Sequence, residues 1–318
     1  MNNNAEIENT NITLSADLLA EAKELGINIS QVCDQYLREL VRGEREPASL
    51  NPYHVDDQDP TLRQSVYVYM DMLAYKEIVH QSKKAEDQQA MLRKLHHAFK
   101  YARDVYLESD KDDPLSRLYQ KQDYALKAFT DNIVMGWPIC KNPQQEFYSA
   151  FRCLKHFQFQ LVIEGFFIRG AISLGDAYID EVAVFGGAVL EAYEGEVSLA
   201  RDPRIILTQS AVSVVQEHNV DFSRDILRDS DGQLFLNYLD SVLIAEDEYG
   251  PIYEDFLKHK TIVEEKLNEY KENPPFWSKY AWVAGYHNYF CDQHTDYFTD
   301  EHKINVELFR AIPTRIDD

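Results

Sequence analysis

The most regular hydrophobic patterning of the chain lies between about residues 65 and 220. It opens with SVYVYMD, whose alternating and β-branched residues predict a strand. Helices are predicted over about residues 73–81 and 86–108. The segment YALKAFTDNIVMGWPI then predicts two short strands that are joined by a tight turn at Asp131-Asn132.

The second half of this region continues the alternation of strands and helices. A helix is predicted over about residues 145–164, and FFIRGAISLGDAYID is expected to form another pair of strands. A helix over about residues 188–201, a strand at 204–207 and a helix ending near residue 218 complete the pattern. This order predicts an α+β fold with a ferredoxin-like βαββαβ core and extra helices, which we place at residues 65–220.

Three further segments complete the predicted organisation. Residues 1–46 are predicted to contain one strand and two helices, which are too few to bury a core alone. They are therefore expected to pair with a second copy in a ribbon–helix–helix arrangement. Residues 47–64 contain three prolines and no periodicity, as is typical of a linker. Residues 221–318 are predicted to be a mainly helical extension that packs on the core.

The acidic composition restricts the partners that the chain can bind. It contains 54 acidic and 32 basic side chains, for a formal net charge of -22. Such a surface repels nucleic acid and anionic membranes, and a nucleotide would need a divalent metal ion to bring its phosphates in. No apolar run reaches the roughly 20 residues of a membrane span. The polar N-terminus lacks the features of a signal peptide, so a cytoplasmic protein without membrane contact is expected.

Two aspartates are the candidate ligands of a metal ion. Asp71 ends the strand VYVYMD, and Asp131 lies at the predicted hairpin turn. In a ferredoxin-like sheet the end of the first strand meets the tip of this hairpin, so the two carboxylates are expected at one edge. Such oxygen ligands suit Mg²⁺ or Mn²⁺, which support attack of a hydroxyl on a phosphate. The alternative is structural, with Asp71 as a helix cap and Asp131 as a turn residue.

The residues that follow Asp71 are candidates for binding phosphate. The N–H groups of Met72, Leu73 and Ala74 are expected to be free at the start of the next helix, where they would be donors to a phosphate. The chain contains no G-x-x-x-x-G-K motif, so a phosphate-binding loop of that type is not predicted.

Four segments resemble the motifs of a known enzyme family. In order, they are VYMDMLAYKEIV, LKAFTDNIVMG, RGAISLGDAYID and VFGGAVLEAYEGEVSLARDPRIIL. They resemble class III nucleotidyl cyclases, and more closely the divergent bacterial proteins that include the pyrimidine cyclases of Pycsar antiphage systems. This resemblance covers about residues 65–210. It implies a homodimeric, metal-dependent enzyme that converts a nucleoside triphosphate to a 3′,5′-cyclic nucleotide and pyrophosphate, with a role in antiphage signalling.

The resemblance also implies roles for individual residues. Asp71 and Asp131 fall on the two metal-binding aspartates of the family. Lys127 falls on the lysine that helps to read the base. Glu181 lies near the acidic position that also reads the base.

Two positions depart from the family pattern. Common members carry an Asn and an Arg on the helix after the glycine of the last motif, but Leu190 and Glu194 stand there. The charge that develops in the transition state would then need another cation, for which Arg169 and Arg204 are the candidates. A structural ion pair is the alternative role of Arg169. These departures keep open a second function, that of a cyclase-fold protein that binds nucleotides or signals without catalysis.

The N-terminal segment has its own resemblance. NITLSADLLAEAKELGINISQVCDQYLRELVRGERE resembles the N-terminal part of CcdA-type antitoxins. This makes an antitoxin-like regulator that binds DNA through residues 7–46 a third function, with Asn9, Asn11 and Thr13 facing the bases. The segment has few basic residues, and phosphate contacts supply most of the affinity for DNA. Dimerisation without DNA binding is therefore favoured.

Overall fold

The structure, a computed structural model, describes residues 51–53, 59–81, 84–108, 124–139, 143–217, 222–243 and 251–309. These residues belong to one unit, which comprises residues 49–112 and 121–318. The predicted ribbon–helix–helix segment and most of the predicted linker lie outside the described residues.

Strands and helices alternate along the described chain. The first part contains β1 (Arg63–Met72), α1 (Tyr75–Gln81), α2 (Ala85–Glu108), β2 (Ala125–Phe129), β3 (Asn132–Pro138), α3 (Pro143–Ile163) and β4 (Ile168–Ile179). The second part contains β5 (Val184–Phe185), α4 (Gly187–Leu199), β6 (Ile205–Leu207), α5 (Gln209–Glu217), β7 (Ile226–Arg228), β8 (Leu234–Leu236), α6 (Tyr253–Glu269) and α7 (Pro274–Gln293). Short 3₁₀ helices lie at Tyr238–Val242, Asp300–His302 and Val306–Leu308. Among these helices, none is both long and apolar enough to cross a membrane.

The strands form one sheet in the order β2-β3-β1-β4-β6-β8-β7, and β5 pairs with β4. β1 is antiparallel to both β3 and β4, and β2 is antiparallel to β3. This order and these directions define a ferredoxin-like βαββαβ core, so the predicted α+β fold is confirmed. β6 then adds to the core in parallel with β4.

The two faces of β1 pack against different helices. Val66 and Met70 belong to a buried cluster with α2 and α3. Tyr67 and Tyr69 belong to a separate cluster with α4. Because successive side chains point to opposite faces of a strand, Asp71 shares the α4 side with the two tyrosines.

The hairpin between β2 and β3 differs from its prediction by one residue. Phe129 pairs with Asn132, so the two-residue turn consists of Thr130 and Asp131. Thr130 has φ of 57°, as two-residue hairpin turns require at their central positions. The predicted turn at Asp131-Asn132 was wrong because Asn132 already belongs to β3, where it also pairs with Asp71.

Two other features of the sheet were not predicted. FFIRGAISLGDAYID forms one long strand, β4, rather than a pair, because β4 pairs with β1 along the whole length of β1. The strands β7 and β8 lie in the region that was predicted to be mainly helical. β8 pairs with β6 and so extends the sheet, and the Asp231-Gly232 dipeptide before it was the available turn signal.

Two histidines of the C-terminal helices are fully buried. His259 in α6 and His287 in α7 have no exposed surface, and their Nδ1 atoms lie 3.0 Å apart. The Nε2 atom of His287 lies 2.9 Å from the carbonyl oxygen of His302, which can only accept, so His287 carries its proton on Nε2. His259 then donates through Nδ1, and its Nε2 accepts from the hydroxyl of Tyr238. Both rings are neutral in this hydrogen-bonded chain.

Acid should destabilise the fold through this pair. Burial lowers the pKa of His287 from 6.5 to about 4 and lowers the pKa of His259 as well. At pH values between the folded and the unfolded pKa of each histidine, the unfolded chain binds a proton that the folded chain does not. The free energy of unfolding should therefore decrease as the pH falls, by about 1.4 kcal/mol per pH unit for each histidine.

Urea unfolding at a series of pH values between the folded and unfolded pKa of His287 measures this slope. The substitution His287→Phe should make the slope shallower by the share of one histidine. The control His96→Gln, at an exposed position of α2, should leave it unchanged. An equal slope in wild type and His287→Phe would contradict the assignment.

Candidate functional site

Three polar side chains form a row across the end of β1. The register of the sheet pairs Asp71 with Asn132 on β3 and with Arg169 on β4. Directly paired residues share a face, so all three lie on the side of the sheet that α4 covers. The hydroxyl of Tyr69, on the same face, donates to Oδ1 of Asn132.

Asp131 is fixed beside this row by its backbone. Its carbonyl oxygen accepts a hydrogen bond of 2.8 Å from the N–H group of Met72. Its Oδ1 atom accepts from the Thr130 hydroxyl at 2.8 Å and from Nδ2 of Asn132 at 3.0 Å. The structure therefore brings Asp71 and Asp131 to the same edge of the sheet, close enough for the charge of Asp131 to act on Asp71.

Arg169 joins Asp71 to a second carboxylate. Its Nε atom lies 3.2 Å from Oδ2 of Asp71 and 2.8 Å from Oε1 of Glu196 on α4. Burial raises the pKa of both Asp71 and Glu196, and the charge of Arg169 opposes this rise in each. Arg169 thus has the structural ion-pair role that was its alternative, at the same place as the candidate metal site.

Glu196 was not identified from the sequence. It is only 3% exposed, although it is a carboxylate on a helix. Ala188, Ala192 and Glu196 are spaced at four-residue intervals, so they lie on the buried side of α4 together. A carboxylate at such a position is rarely buried without a cationic partner, and this was the signal that could have identified it.

A glycine allows α4 to approach the sheet closely at this point. A Cβ atom at Gly195 would lie 2.9 Å from the side chains of Ala171 and Thr208. Such a contact is too short for a real side chain, so a larger residue would push α4 away from β4 and β6. Gly195 therefore sets the distance at which its neighbour Glu196 meets Arg169.

Two of the three N–H groups after Asp71 are already bonded within the fold. The N–H group of Met72 donates to Asp131, and the N–H group of Leu73 donates to the carbonyl oxygen of Phe167 at 2.8 Å. Ala74 has φ of 59°, so α1 begins only at Tyr75. The expectation of free donors at Met72 and Leu73 was wrong, because the end of β1 is tied to both neighbouring segments.

Lys127 and the segment that contains Glu181 come together on the same side of the sheet. The Nζ atom of Lys127 donates to the carbonyl oxygens of Asp180 and Glu181, at 3.1 and 3.0 Å. The carboxylate of Asp180 accepts from the N–H groups of Val182 and Ala183, which shapes this turn and lowers the pKa of Asp180. The side chain of Glu181 is exposed beside it.

Leu190, Glu194 and Arg204 do not supply a free cation to the row. Leu190 and Glu194 are exposed on α4. Arg204 is fully buried, forms ion pairs with Asp229 and Asp231, and is therefore already neutralised within the fold.

The donors at the Asp71–Asp131 edge fit a Mg²⁺ or Mn²⁺ ion. Proteins hold Mg²⁺ with one or two carboxylates, and water and substrate phosphates complete the shell. Asp71 and Asp131 would supply two carboxylates of this kind, and carboxylate oxygens also suit Mn²⁺. Within the part of the chain that the structure describes, no three His, Cys, Asp or Glu side chains are grouped to hold a metal. An ion at this edge would therefore depend on the substrate for several of its ligands.

Comparison with known proteins gives one family match and several similar structures. Residues 8–49 match the family described as post-segregation antitoxin CcdA, which confirms the resemblance of the N-terminal segment. No curated protein matches the chain. The guanylyl cyclase domain of the RhoGC fusion protein from the aquatic fungus Blastocladiella emersonii is 12% identical, over 56% of this chain and 96% of that chain, with a TM-score of 0.38.

Two more solved structures are similar to the chain. The guanylyl cyclase Cya2 is 11% identical, over 60% of this chain and 98% of that chain, with a TM-score of 0.37. A class III adenylyl cyclase-like ATP-binding protein from Pseudomonas aeruginosa is 12% identical, over 64% of this chain and 48% of that chain, with a TM-score of 0.32. The fold itself is established by the strand order and register given above.

Removal of Arg169 should destabilise the protein in a pH-dependent way. Arg169→Ala leaves Asp71 and the buried Glu196 without their shared cation, which should cost about 2 kcal/mol or more at neutral pH. Loss of the cation also raises the pKa of both carboxylates further, so they take up protons as the pH falls. The destabilisation should therefore be smaller in mild acid.

Urea unfolding of wild type and Arg169→Ala at neutral and mildly acidic pH tests this. Arg201→Ala, at an exposed position, is the control and should have little effect at either pH. A loss of stability in Arg169→Ala that is equal at both pH values would show that the ion pairs are not its cause.

Proposed function

We propose that the chain is a metal-dependent nucleotidyl cyclase that converts a nucleoside triphosphate to a 3′,5′-cyclic nucleotide and pyrophosphate. The observation that supports this function is the meeting of Asp71 and Asp131 at the end of β1. The two carboxylates come from separate parts of the chain and share one edge of a ferredoxin-like sheet. Arg169 contacts one oxygen of Asp71. Among the described residues, Asp131 forms no ion pair with a cation.

The proposed reaction is an intramolecular displacement at phosphorus. The 3′-hydroxyl oxygen forms a bond to the α-phosphorus, and the bond from this phosphorus to the oxygen bridging to the β-phosphate breaks. Pyrophosphate leaves with that electron pair, and the hydroxyl proton passes to water. A Mg²⁺ or Mn²⁺ ion bound by Asp71 and Asp131 would favour the ionised hydroxyl and balance charge on the phosphates.

Lys127 and Glu181 would bind the base in this proposal. Two of the three donors of the Lys127 ammonium are held by backbone carbonyls, so the third has a defined direction. It can donate to an acceptor on the base, whereas the exposed carboxylate of Glu181 can accept from an amino or imino group. This pair would discriminate between bases by their pattern of donors and acceptors.

A homodimer forms part of the proposal. Leu190, Tyr193 and Val197 lie on the outer side of α4 and are 58%, 47% and 56% exposed. The opposite side of α4 faces the sheet through Ala188 and Ala192. A row of apolar side chains at this spacing on a surface helix favours contact with a protein partner, and a second copy of the chain would cover it.

Loss of the metal-binding carboxylates should abolish cyclisation. Asp71→Asn and Asp131→Asn should each lower product formation about 100-fold or more, by analogy with the loss of other transition-state contacts. Each nucleoside triphosphate is incubated with the protein and Mn²⁺, and cyclic nucleotide is quantified by mass spectrometry. Binding of Mn²⁺ alone, measured by electron paramagnetic resonance, should weaken in the same two variants.

Asp176→Asn is the matched control, because Asp176 is an exposed aspartate of the same sheet. It should retain both activity and Mn²⁺ affinity. Full activity in Asp71→Asn or Asp131→Asn would refute the proposed metal site. Survival of cells under phage infection, compared between wild type and Asp71→Asn, tests the antiphage role.

Nucleotide binding without turnover is the second candidate function. The placement of Arg169 between two carboxylates favours it, because its charge is already balanced. The acidic Glu194 and the apolar Leu190 cannot supply a positive charge in place of Arg169. Binding of a nucleoside triphosphate with no cyclic product from any of the substrates would select this function.

A DNA-binding regulator is the third candidate, and the match of residues 8–49 to CcdA antitoxins supports it. A mobility shift of the DNA upstream of the coding sequence, weakened by salt, would be its signature. Because the chain carries a net charge of -22, we favour dimerisation as the role of this segment.

A further inference from the structure

Among the described residues, Arg169 and Arg204 are not free to meet the phosphates of the substrate. Arg169 contacts Asp71 and Glu196, and Arg204 is buried between aspartates. A nucleoside triphosphate adds several negative charges to an edge that already holds carboxylates. A preorganised positive group is therefore needed close to the end of β1.

The C-terminal helix α7 passes close to this end of the sheet. Its Tyr280 ring packs edge-on against Phe167 at 5.0 Å, and Phe167 lies two residues before Arg169. Further along α7, Nε1 of Trp282 donates to Oδ2 of Asp229 at 2.7 Å. These two contacts fix the N-terminal half of α7, and with it the position of Lys279.

Lys279 is a half-buried cation among the charged groups of the site. It interacts electrostatically with Arg169 and with three carboxylates, those of Asp71, Asp202 and Glu196. Its Nζ atom lies 5.7 Å from the centre of the Phe276 ring. Among the described residues it forms no ion pair, unlike Arg169 and Arg204, so its ammonium donors remain available to a ligand.

We propose that Lys279 binds the terminal phosphates of the nucleoside triphosphate. This inference rests on the proposed cyclase function. A lysine ammonium is a compact point charge with three donors, which suits phosphate oxygens. Burial is the main cause that lowers the pKa of Lys279, and an approaching anion would oppose that effect. The helix that lies beyond the predicted catalytic domain thus completes its substrate site.

The test uses the full chain and two probes. Inorganic tripolyphosphate, titrated in the presence of Mn²⁺ and measured by isothermal titration calorimetry, reports phosphate binding without any reaction. Steady-state kinetics with the best nucleoside triphosphate and Mn²⁺ separates KM from kcat. Lys279→Gln should weaken tripolyphosphate binding about 10-fold or more and raise KM by a similar factor, as expected for the loss of a contact to a charged group.

Two further variants make the result specific. Lys279→Arg keeps the charge and should recover most of the tripolyphosphate affinity. Lys271→Gln removes an exposed lysine from the segment between α6 and α7 and should leave affinity and KM unchanged. Unfolding curves for all three variants check that a loss of affinity does not come from a loss of the folded state.

These measurements separate the role of Lys279 in phosphate binding from the cyclase activity. An active wild type whose tripolyphosphate affinity and KM are unaffected by Lys279→Gln overturns the role of Lys279 and leaves the cyclase intact. Absence of tripolyphosphate binding to wild type overturns it as well. A wild type without cyclic product, whose tripolyphosphate binding is nevertheless lost in Lys279→Gln, supports the phosphate site and rejects the cyclase.

Discussion

The candidate site depends on the position of β1 between two antiparallel neighbours. Hydrogen bonding to β3 on one side and to β4 on the other fixes the register, and this register alone sets Asn132 and Arg169 opposite Asp71. A shift of one residue would turn Asp71 to the face that α2 and α3 cover. The buried apolar residues of β1 prevent such a shift, so the hydrophobic core and the polar row specify the same register.

The charges of the polar row are balanced by charged side chains on helices outside the βαββαβ core. α4 contributes Glu196, and α7 places Lys279 in the electrostatic neighbourhood of Asp71. Carboxylates and cations alternate at this edge, so removal of any one charge alters the ionisation of the others. The pKa of Asp71 reflects this balance, since burial raises it and Arg169 opposes the rise.

The sequence was sufficient to predict the fold class, and the placement of Asp71 and Asp131 at one edge followed from it. Both predictions relied on local periodicity and on the fixed strand order of a ferredoxin-like sheet. The free N–H groups at Met72 and Leu73 were wrongly predicted, because their partners, Asp131 and Phe167, are brought there only by the tertiary fold. The proximity of Lys279 could not be predicted for the same reason, since no local pattern tells where a distant helix packs.

The pairing of β8 with β6 has a consequence for how this protein can be divided. The β7–β8 hairpin supplies Asp229 and Asp231, which neutralise the fully buried Arg204 next to β6. A fragment cut after α5 would expose a sheet edge and would lack both aspartates that pair with Arg204. The segment that follows α5 is therefore an integral part of the sheet. Truncation or recombination in this protein should leave the sheet intact rather than follow the boundaries of the sequence motifs.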